Sequence, residues 1–233
     1  MTDPVALCAH GEAAWQGLAH RSLGARWSDD GVLAHTVGPV PHRYLLGAVT
    51  LTPDAVPGPD VTGIVCDSYA RLRLPGREPE PAGHWMIRPA GPPPAVPDVP
   101  GLVIRPAVDD GDVAWFEYLA FLAAGGEVPA RSGELHPAGS RRMPGLRLLI
   151  AELDGLGAGT ALSVSTPLVN NVGAVSVMPA LRGRGIGAAL TAAAVAVNVR
   201  TPATLAATAS GRGVYRRLGF GDVGDPLHHH PSG

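Results

Sequence analysis

Arg182-Gly-Arg-Gly-Ile-Gly-Ala188 places three glycines and two arginines within seven residues of a 233-residue chain. Glycine lets the backbone approach a ligand closely and adopt turns closed to other residues. Arginine presents a planar fork of donors that matches phosphate oxygens. The neighbouring residues supply a frame for both. Val175 and Val177 alternate with smaller or polar residues as a strand requires, and Pro179 removes a donor and ends it. From Ala188 to Val197 runs a stretch of strong helix formers and small apolar residues. A strand, a glycine corner and a helix start in direct succession leave the first-turn N–H groups pointing outward. That is an anion site, and its natural guest is a phosphate or pyrophosphate.

Two kinds of nucleotide-like cofactor would suit such a corner. Gly183-Arg-Gly185-Ile-Gly-Ala188 formally fits the dinucleotide fingerprint G-x-G-x-x-[GA], but Ala203 to Ser210, about twenty residues on, holds no acid for a ribose. The corner also lies late in the chain, with room for one more strand and helix, and a proline closes the strand before it. Arg182-x-x-Gly185-x-Gly187, after a valine strand ending in Pro179, resembles instead the acyl-CoA signature of the GNAT superfamily of N-acyltransferases, R/Q-x-x-G-x-G/A. Thr204 to Ser210 resembles the family's next strand. Gly211-Arg-Gly-Val-Tyr-Arg-Arg-Leu-Gly-Phe220 resembles its closing segment, A-x-x-x-Y-x-x-L-G-F, in order and spacing. The resemblance covers Ala174 to Phe220, and more loosely everything from about Pro100.

The resemblance implies an α+β protein with a mixed, splayed sheet flanked by helices, and an enzyme that moves an acetyl or other acyl group from acetyl-CoA to a primary amine. The donor's pyrophosphate would rest on the N–H groups of Arg184 to Ala189, so that Gly183, Gly185, Ile186, Gly187 and Ala188 are donor-binding positions, with Arg182 and Arg184 neutralising charge. Pantetheine would lie along Val175 to Val177 and pair with that strand's backbone, and an N–H near Val177 would polarise the thioester carbonyl. Tyr215 is implied as the general acid toward the departing sulfur. The family's frequent glutamate before the signature is absent, since Asn170-Asn171-Val172 stands there. Glu127, Glu134 and His136 are left as candidate bases, along with a water or an uncharged amine. No metal is implied.

The chain as a whole bounds the answer. Its formal net charge of −2 gives no general attraction to nucleic acid or anionic membrane, and 45% apolar residues mark it as globular. All 18 basic residues are arginine, which reads mainly as the codon bias of a GC-rich genome. Cys8 and Cys66 lack any metal or redox spacing, and no apolar run approaches the ~20 residues a bilayer needs, so the expected location is the cytoplasm.

Taken in order, Pro4 to about Leu23 predicts a helix capped by Asp3, with Trp15 as a core anchor. Arg26 to Gly31 reads as a turn cluster. Val32 to Val37 and Tyr44 to Leu51 read as a hairpin, and Val61 to Cys66, Tyr69 to Leu74 and His84 to Arg88 as further strands. Residues 1–89 thus form a divergent α+β region, a degenerate copy of the same scaffold that would build the acceptor pocket, an interface, or both. Five prolines between Ala90 and Gly101 mark a stiff linker over 90–101. Residues 102–225 form the acyltransferase domain, with a strand from Leu102, a helix capped by Asp109, a polar loop from Gly125 to Pro144, and a hairpin through Asp154-Gly155. The tail, 226–233, is expected to be disordered, and His228 to His230 could take only a stray metal. The acceptor stays open between small-molecule and peptide amines. An acyl carrier protein as donor, a silent acyl-CoA-binding module and a homodimer also remain open.

Overall fold

The computed structural model describes residues 3–125 and 131–231. Asp3 caps the first helix, α1 (Pro4–Ser22), by accepting the Val5 N–H at 3.0 Å, with Pro4 in the first turn where it forfeits no hydrogen bond. Two of its faces are buried. Cys8, Ala9 and Ala13 pack with Leu46, Val49 and Cys66, whereas Trp15 and Leu18 pack with Phe116, Leu146 and Leu148. α1 is therefore held between two layers, and its many alanines and glycines are what let both approach. A Cβ at Gly11 would stand 2.6 Å from Thr204 Oγ1.

The layers are two mixed sheets. The first half of the chain supplies β1 (Arg26–Asp29), β2 (Leu33–Val37), β3 (Leu46–Thr50), β4 (Ile64–Asp67), β5 (Arg77–Pro81) and β6 (His84–Arg88). The second half supplies β7 (Leu102–Pro106), α2 (Asp110–Ala124), β8 (Leu146–Leu153), β9 (Leu156–Ser165), β10 (Asn170–Val177), α3 (Ile186–Ala196), β11 (Ala203–Ala207), α4 (Arg212–Arg217), β12 (Gly221–Gly224) and β13 (Leu227–Pro231). The sheet orders are β1-β2-β3-β4-β13-β5 and β12-β6-β11-β10-β9-β8-β7. Each half thus sends its last strand into the other's sheet, between that sheet's parallel-paired strand and its edge: β6 lies between β11 and β12, and β13 between β4 and β5. β3 and β4 pair in parallel, as β10 and β11 do, so the first half repeats the order of β8 to β12 without the intervening helices and without a counterpart of β7. Among the described residues no helix is long and apolar enough to cross a membrane.

Several expectations need correction. Within the tail, Leu227–Pro231 is a strand and not disordered, because His228 and His229 pair with Cys66 and Val65 on one side and with Glu80 and Pro79 on the other. Its middle histidine is buried against Asp67, with Nε2 and Oδ2 3.5 Å apart. The linker separates the halves in sequence but not in space, since β6 and β13 cross over. Its Val96 and Val99 pack against the cluster that contains Ile186 and Leu190, which is why α3 can be apolar nearly all round. Tyr69 to Leu74 is no strand. The buried Asp67 carboxylate draws the Tyr69 and Leu72 N–H groups onto itself and curls the segment into a turn. Arg26 to Asp29, read as a turn, is β1, an edge strand beside β2.

β8 shows why the second sheet needs cover on both faces. Leu146, Leu148 and Ile150 pack with Phe116 and Leu119 of α2, while Leu149, Ala151 and Leu153 pack with Ile186, Leu190 and Val195 of α3. The alternation is that of a strand buried on both sides.

Candidate functional site

β10 and β11 run side by side only at Asn170–Ala203 and Asn171–Thr204, after which they part. The cause lies in β10. Its pairing with β9 slips between Gly173 and Ser176, and Ala174 takes a left-handed φ of 48° with its carbonyl held by Thr160 Oγ1 at 2.9 Å. Past this bulge the Met178 N–H donates to Ala158 of β9. By strand alternation the backbone groups of Val177 face the opposite edge, the one β11 has left. The Val175 and Val177 side chains meanwhile pack in the cluster around α3.

On one side of this opening lies a cavity of about 510 Å³. Glu12 and Trp15 of α1, Tyr44, Phe121 of α2, Leu135 and His136 form much of its wall, and Asn171 to Ala174 of β10 reach it from the sheet. The aromatic groups are mutually packed: Tyr44 meets Phe121 at 5.3 Å between ring centroids, and Trp15 stacks on His136 at 5.6 Å. Asn171 Oδ1 accepts the Thr204 hydroxyl at 3.2 Å, locking the last paired rung of the two strands.

The glycine corner sits at the start of α3. Gly183 and Gly185 have φ of 78° and 88°, conformations that favour glycine, and Gly185 caps α3 without any side-chain acceptor. The helix's first N–H groups are thus left without a capping side chain, and the Ile186 side chain turns into the core at 1% exposure, so only its backbone can serve a ligand. Gly187 and Ala188 follow in the first turn, half-buried. Arg182 is not a free cation: Nε donates to the Val177 carbonyl at 3.2 Å and Nη2 to the Ala123 carbonyl at 2.8 Å, tying the end of α2 to β10. Arg184 is exposed and has no partner among the described residues.

Tyr215, on α4, packs in the cluster with Ile186 and Leu190 and meets Phe220 edge-on at 6.1 Å. It is not among the cavity's lining residues. Burial pushes its hydroxyl pKa upward, so it is a protonated phenol at neutral pH.

The polar loop is anchored by a residue that sequence reasoning missed. The Glu117 carboxylate, buried on α2, accepts four backbone N–H groups: Gly133 and Glu134 on Oε1 at 2.8 and 3.1 Å, Leu135 and His136 on Oε2 at 3.0 and 2.6 Å. Burial alone would raise its pKa, but the His136 imidazole beside it and these N–H groups together hold it below the ordinary range. His136 Nδ1 is 3.4 Å from the carboxylate, at an angle that makes no hydrogen bond. Of the three candidate bases, His136 lines the cavity, Glu134 is turned toward His42 at 3.9 Å, and Glu127 lies outside the described residues.

Glu12 was also missed, and it is the one carboxylate in the described cavity wall. Its Oε1 accepts from Gln16 Nε2 at 2.9 Å, and Gln16 Oε1 in turn accepts the Leu46 N–H at 2.9 Å. Burial pushes its pKa up, against a lowering by Gln16. The signal was there: Glu12 is the only acid in α1, set among glycine and alanine where a solvated helix would carry several charges. Among the described residues no group of three or more His, Cys, Asp or Glu is placed to hold a metal ion.

No family model and no curated protein sequence matches the chain. Solved structures do. A GCN5-related N-acetyltransferase from Kribbella flavida superposes over 97% of this chain and 96% of its own, with TM-score 0.67 and 20% identity. One from Sphaerobacter thermophilus covers 71% of this chain and 58% of its own, with TM-score 0.55 and 25% identity. A GCN5-related N-acetyltransferase-like protein from Streptococcus suis covers 88% of both chains, with TM-score 0.53 and 12% identity. At such identities the likeness establishes the fold, and in the first case it extends over both halves.

Proposed function

With the GNAT fold as premise, we propose that the protein is an N-acyltransferase that moves an acetyl group from acetyl-CoA to a primary amine. The observation that carries this reading is the parting of β10 from β11, with an uncapped glycine corner at the start of α3 beyond one end and an aromatic-walled cavity beside it. A donor whose pyrophosphate lies on the N–H groups of Gly185 to Ala188 could run its pantetheine along the freed edge of Val175 to Val177 and present its thioester to the cavity. The Val177 N–H would then meet the developing oxyanion. Arg184 would pair with donor phosphate. Arg182 would hold the corner in place through its two carbonyl contacts, while its charge and its Nη1 donors stay available to a donor phosphate.

The chemistry then balances around one side-chain role. The neutral amine attacks the thioester carbon, a C–N bond forms, and the C–S bond breaks. Tyr215 gives its proton to the departing thiolate, and the proton shed by nitrogen on acylation replaces it.

Thermal-shift titration with acetyl-CoA, CoA, phosphopantetheine and NADH tests the donor, since a ligand that binds the native state raises the midpoint by mass action. Acetyl-CoA and CoA are expected to stabilise the protein. Arg184→Ala should weaken acetyl-CoA binding about tenfold, on the scale of one charge-assisted contact, without moving the midpoint of the free protein. Stabilisation by NADH and not by CoA would sink the reading, and stabilisation by phosphopantetheine alone would move the donor to a carrier protein. In steady-state kinetics Tyr215→Phe is expected to lower kcat about a hundredfold while acetyl-CoA affinity holds. An unchanged kcat would remove Tyr215 from the reaction.

A further inference from the structure

The cavity's chemistry narrows the acceptor. Trp15, Tyr44 and Phe121 give it aromatic walls, with Leu135 and Leu162 between them, and no arginine is in the described lining. Against that apolar surface stands a single carboxylate, Glu12. One of its oxygens is used by Gln16, and the other has no hydrogen-bond partner among the described residues. A lone carboxylate in an apolar cleft is costly unless a cation joins it. Its position is also built with care, since Gln16 is itself pinned to Leu46 of β3, and Gly11 brings α1 close enough to touch Thr204 and Asn171 at the rung where β10 and β11 separate. The first half of the chain therefore delivers its acid to the place where the second half opens its sheet.

We infer that this cavity takes an arylalkylamine, a primary amine on an aromatic body, and that Glu12 holds its ammonium and removes its proton before attack. The inference rests on the acyltransferase reading for the reaction but not for the binding. The ring packs among Trp15, Tyr44 and Phe121, where aromatic pairs gain beyond their buried area. The ammonium gives one proton to Glu12 and becomes the nucleophile. Glu12 later returns that proton to solvent, so amide formation from the ammonium releases one proton overall. Burial makes the carboxylate a stronger base than an exposed glutamate, which suits it to this task. It is the base that Asn170 and Asn171 do not provide, and it comes from the other half of the chain.

The test uses the full-length protein with 2-phenylethylamine, and spermidine and glucosamine as hydrophilic amines. Calorimetric titration without donor is expected to show 2-phenylethylamine binding at least tenfold more tightly than either. Glu12→Gln should weaken that binding at least tenfold, and it keeps an oxygen for Gln16, so the helix contact survives. With acetyl-CoA present, kcat/KM for 2-phenylethylamine should fall about a hundredfold in Glu12→Gln and recover in part in Glu12→Asp, while the thermal shift caused by acetyl-CoA stays the same. Equal or tighter binding of the hydrophilic amines, or a Glu12→Gln protein with full affinity and turnover, overturns the inference and leaves the acyltransferase reading standing. Amine binding that depends on Glu12 in a protein that ignores acetyl-CoA would retain the amine site and sink the acyltransferase reading instead.

Discussion

A chain that stops at Pro226 is expected to lose its cooperative fold, although it drops only seven residues, three of them in a row of histidines. β13 is an interior strand. It pairs at three positions with β4 and at five with β5, so its removal leaves β4 with an open edge and β5 with no neighbour at all. At a net ~1 kcal/mol for each backbone hydrogen bond, the lost ladder alone amounts to several kcal/mol, comparable with the ~5–15 kcal/mol that holds a whole domain together. The damage does not end at the ladder. His229 leaves Asp67 buried without its neighbour, and the Arg77 guanidinium, which reaches the carbonyls of Val61, Gly63 and His229, loses one wall of its site. Since β4 and β3 also pack on α1, the disturbance reaches Glu12. Urea unfolding of the truncated chain should show a lowered and broadened transition, or the chain should be insoluble. A truncated protein with the full-length midpoint would mean that β13 is not a strand of the sheet in solution.

β13 also shows where sequence reading stops. Segments whose structure is settled by their own neighbours were legible: the Asp109 cap of α2, the Asp154-Gly155 turn with φ of 52° and 79°, and the valine strand leading into the glycine corner of α3. Each carries its instruction within a few residues. Leu227-His-His-His-Pro231 carries none, because it is a strand only by virtue of partners about 150 positions earlier. β5, Arg77-Glu-Pro-Glu-Pro81, is similar. Two prolines and two acids argue against a strand, and they are tolerated because β5 is the outer strand of its sheet. The candidate site divides along the same line. The glycine corner is contiguous in sequence, so its strand, turn and helix start could be read directly. The aromatic-walled cavity is assembled from α1, the segment before β3, α2 and the polar loop, so Glu12, Tyr44 and Phe121 become neighbours only after both halves have folded together. Arg182 differs again: its type and spacing suggest a phosphate ligand, and its contacts to the Val177 and Ala123 carbonyls emerge only in the fold.

Glu117→Ala is expected to release the roof of that cavity. In the folded protein one carboxylate satisfies four N–H groups on consecutive residues from Gly133 to His136, two on each oxygen. Without it the loop must either open to water or bury those donors unpaired, at about 3–5 kcal/mol for breaking a buried charged network. Glutamine should be nearly as harmful despite its matching shape. Its NH₂ group would face two N–H donors where an oxygen now accepts them, and an amide flip only moves the conflict to the other pair. The pH dependence follows from the direction of the shift. Because the folded state holds Glu117 below the ordinary glutamate value of 4.5, its contribution is complete above that pH and is lost as pH falls through the lower folded value. Stability of the native protein should therefore decline on acidification below about pH 4.5 more steeply than that of Glu117→Gln. The loop carries Leu135 and His136 into the cavity wall, whereas no residue of the glycine corner lines that cavity, so the two sites should respond differently. Acceptor binding should drop at least tenfold in both variants, with the thermal shift by acetyl-CoA preserved. If Glu117→Gln kept both its midpoint and its acceptor affinity, the carboxylate would not be what holds the loop over the site.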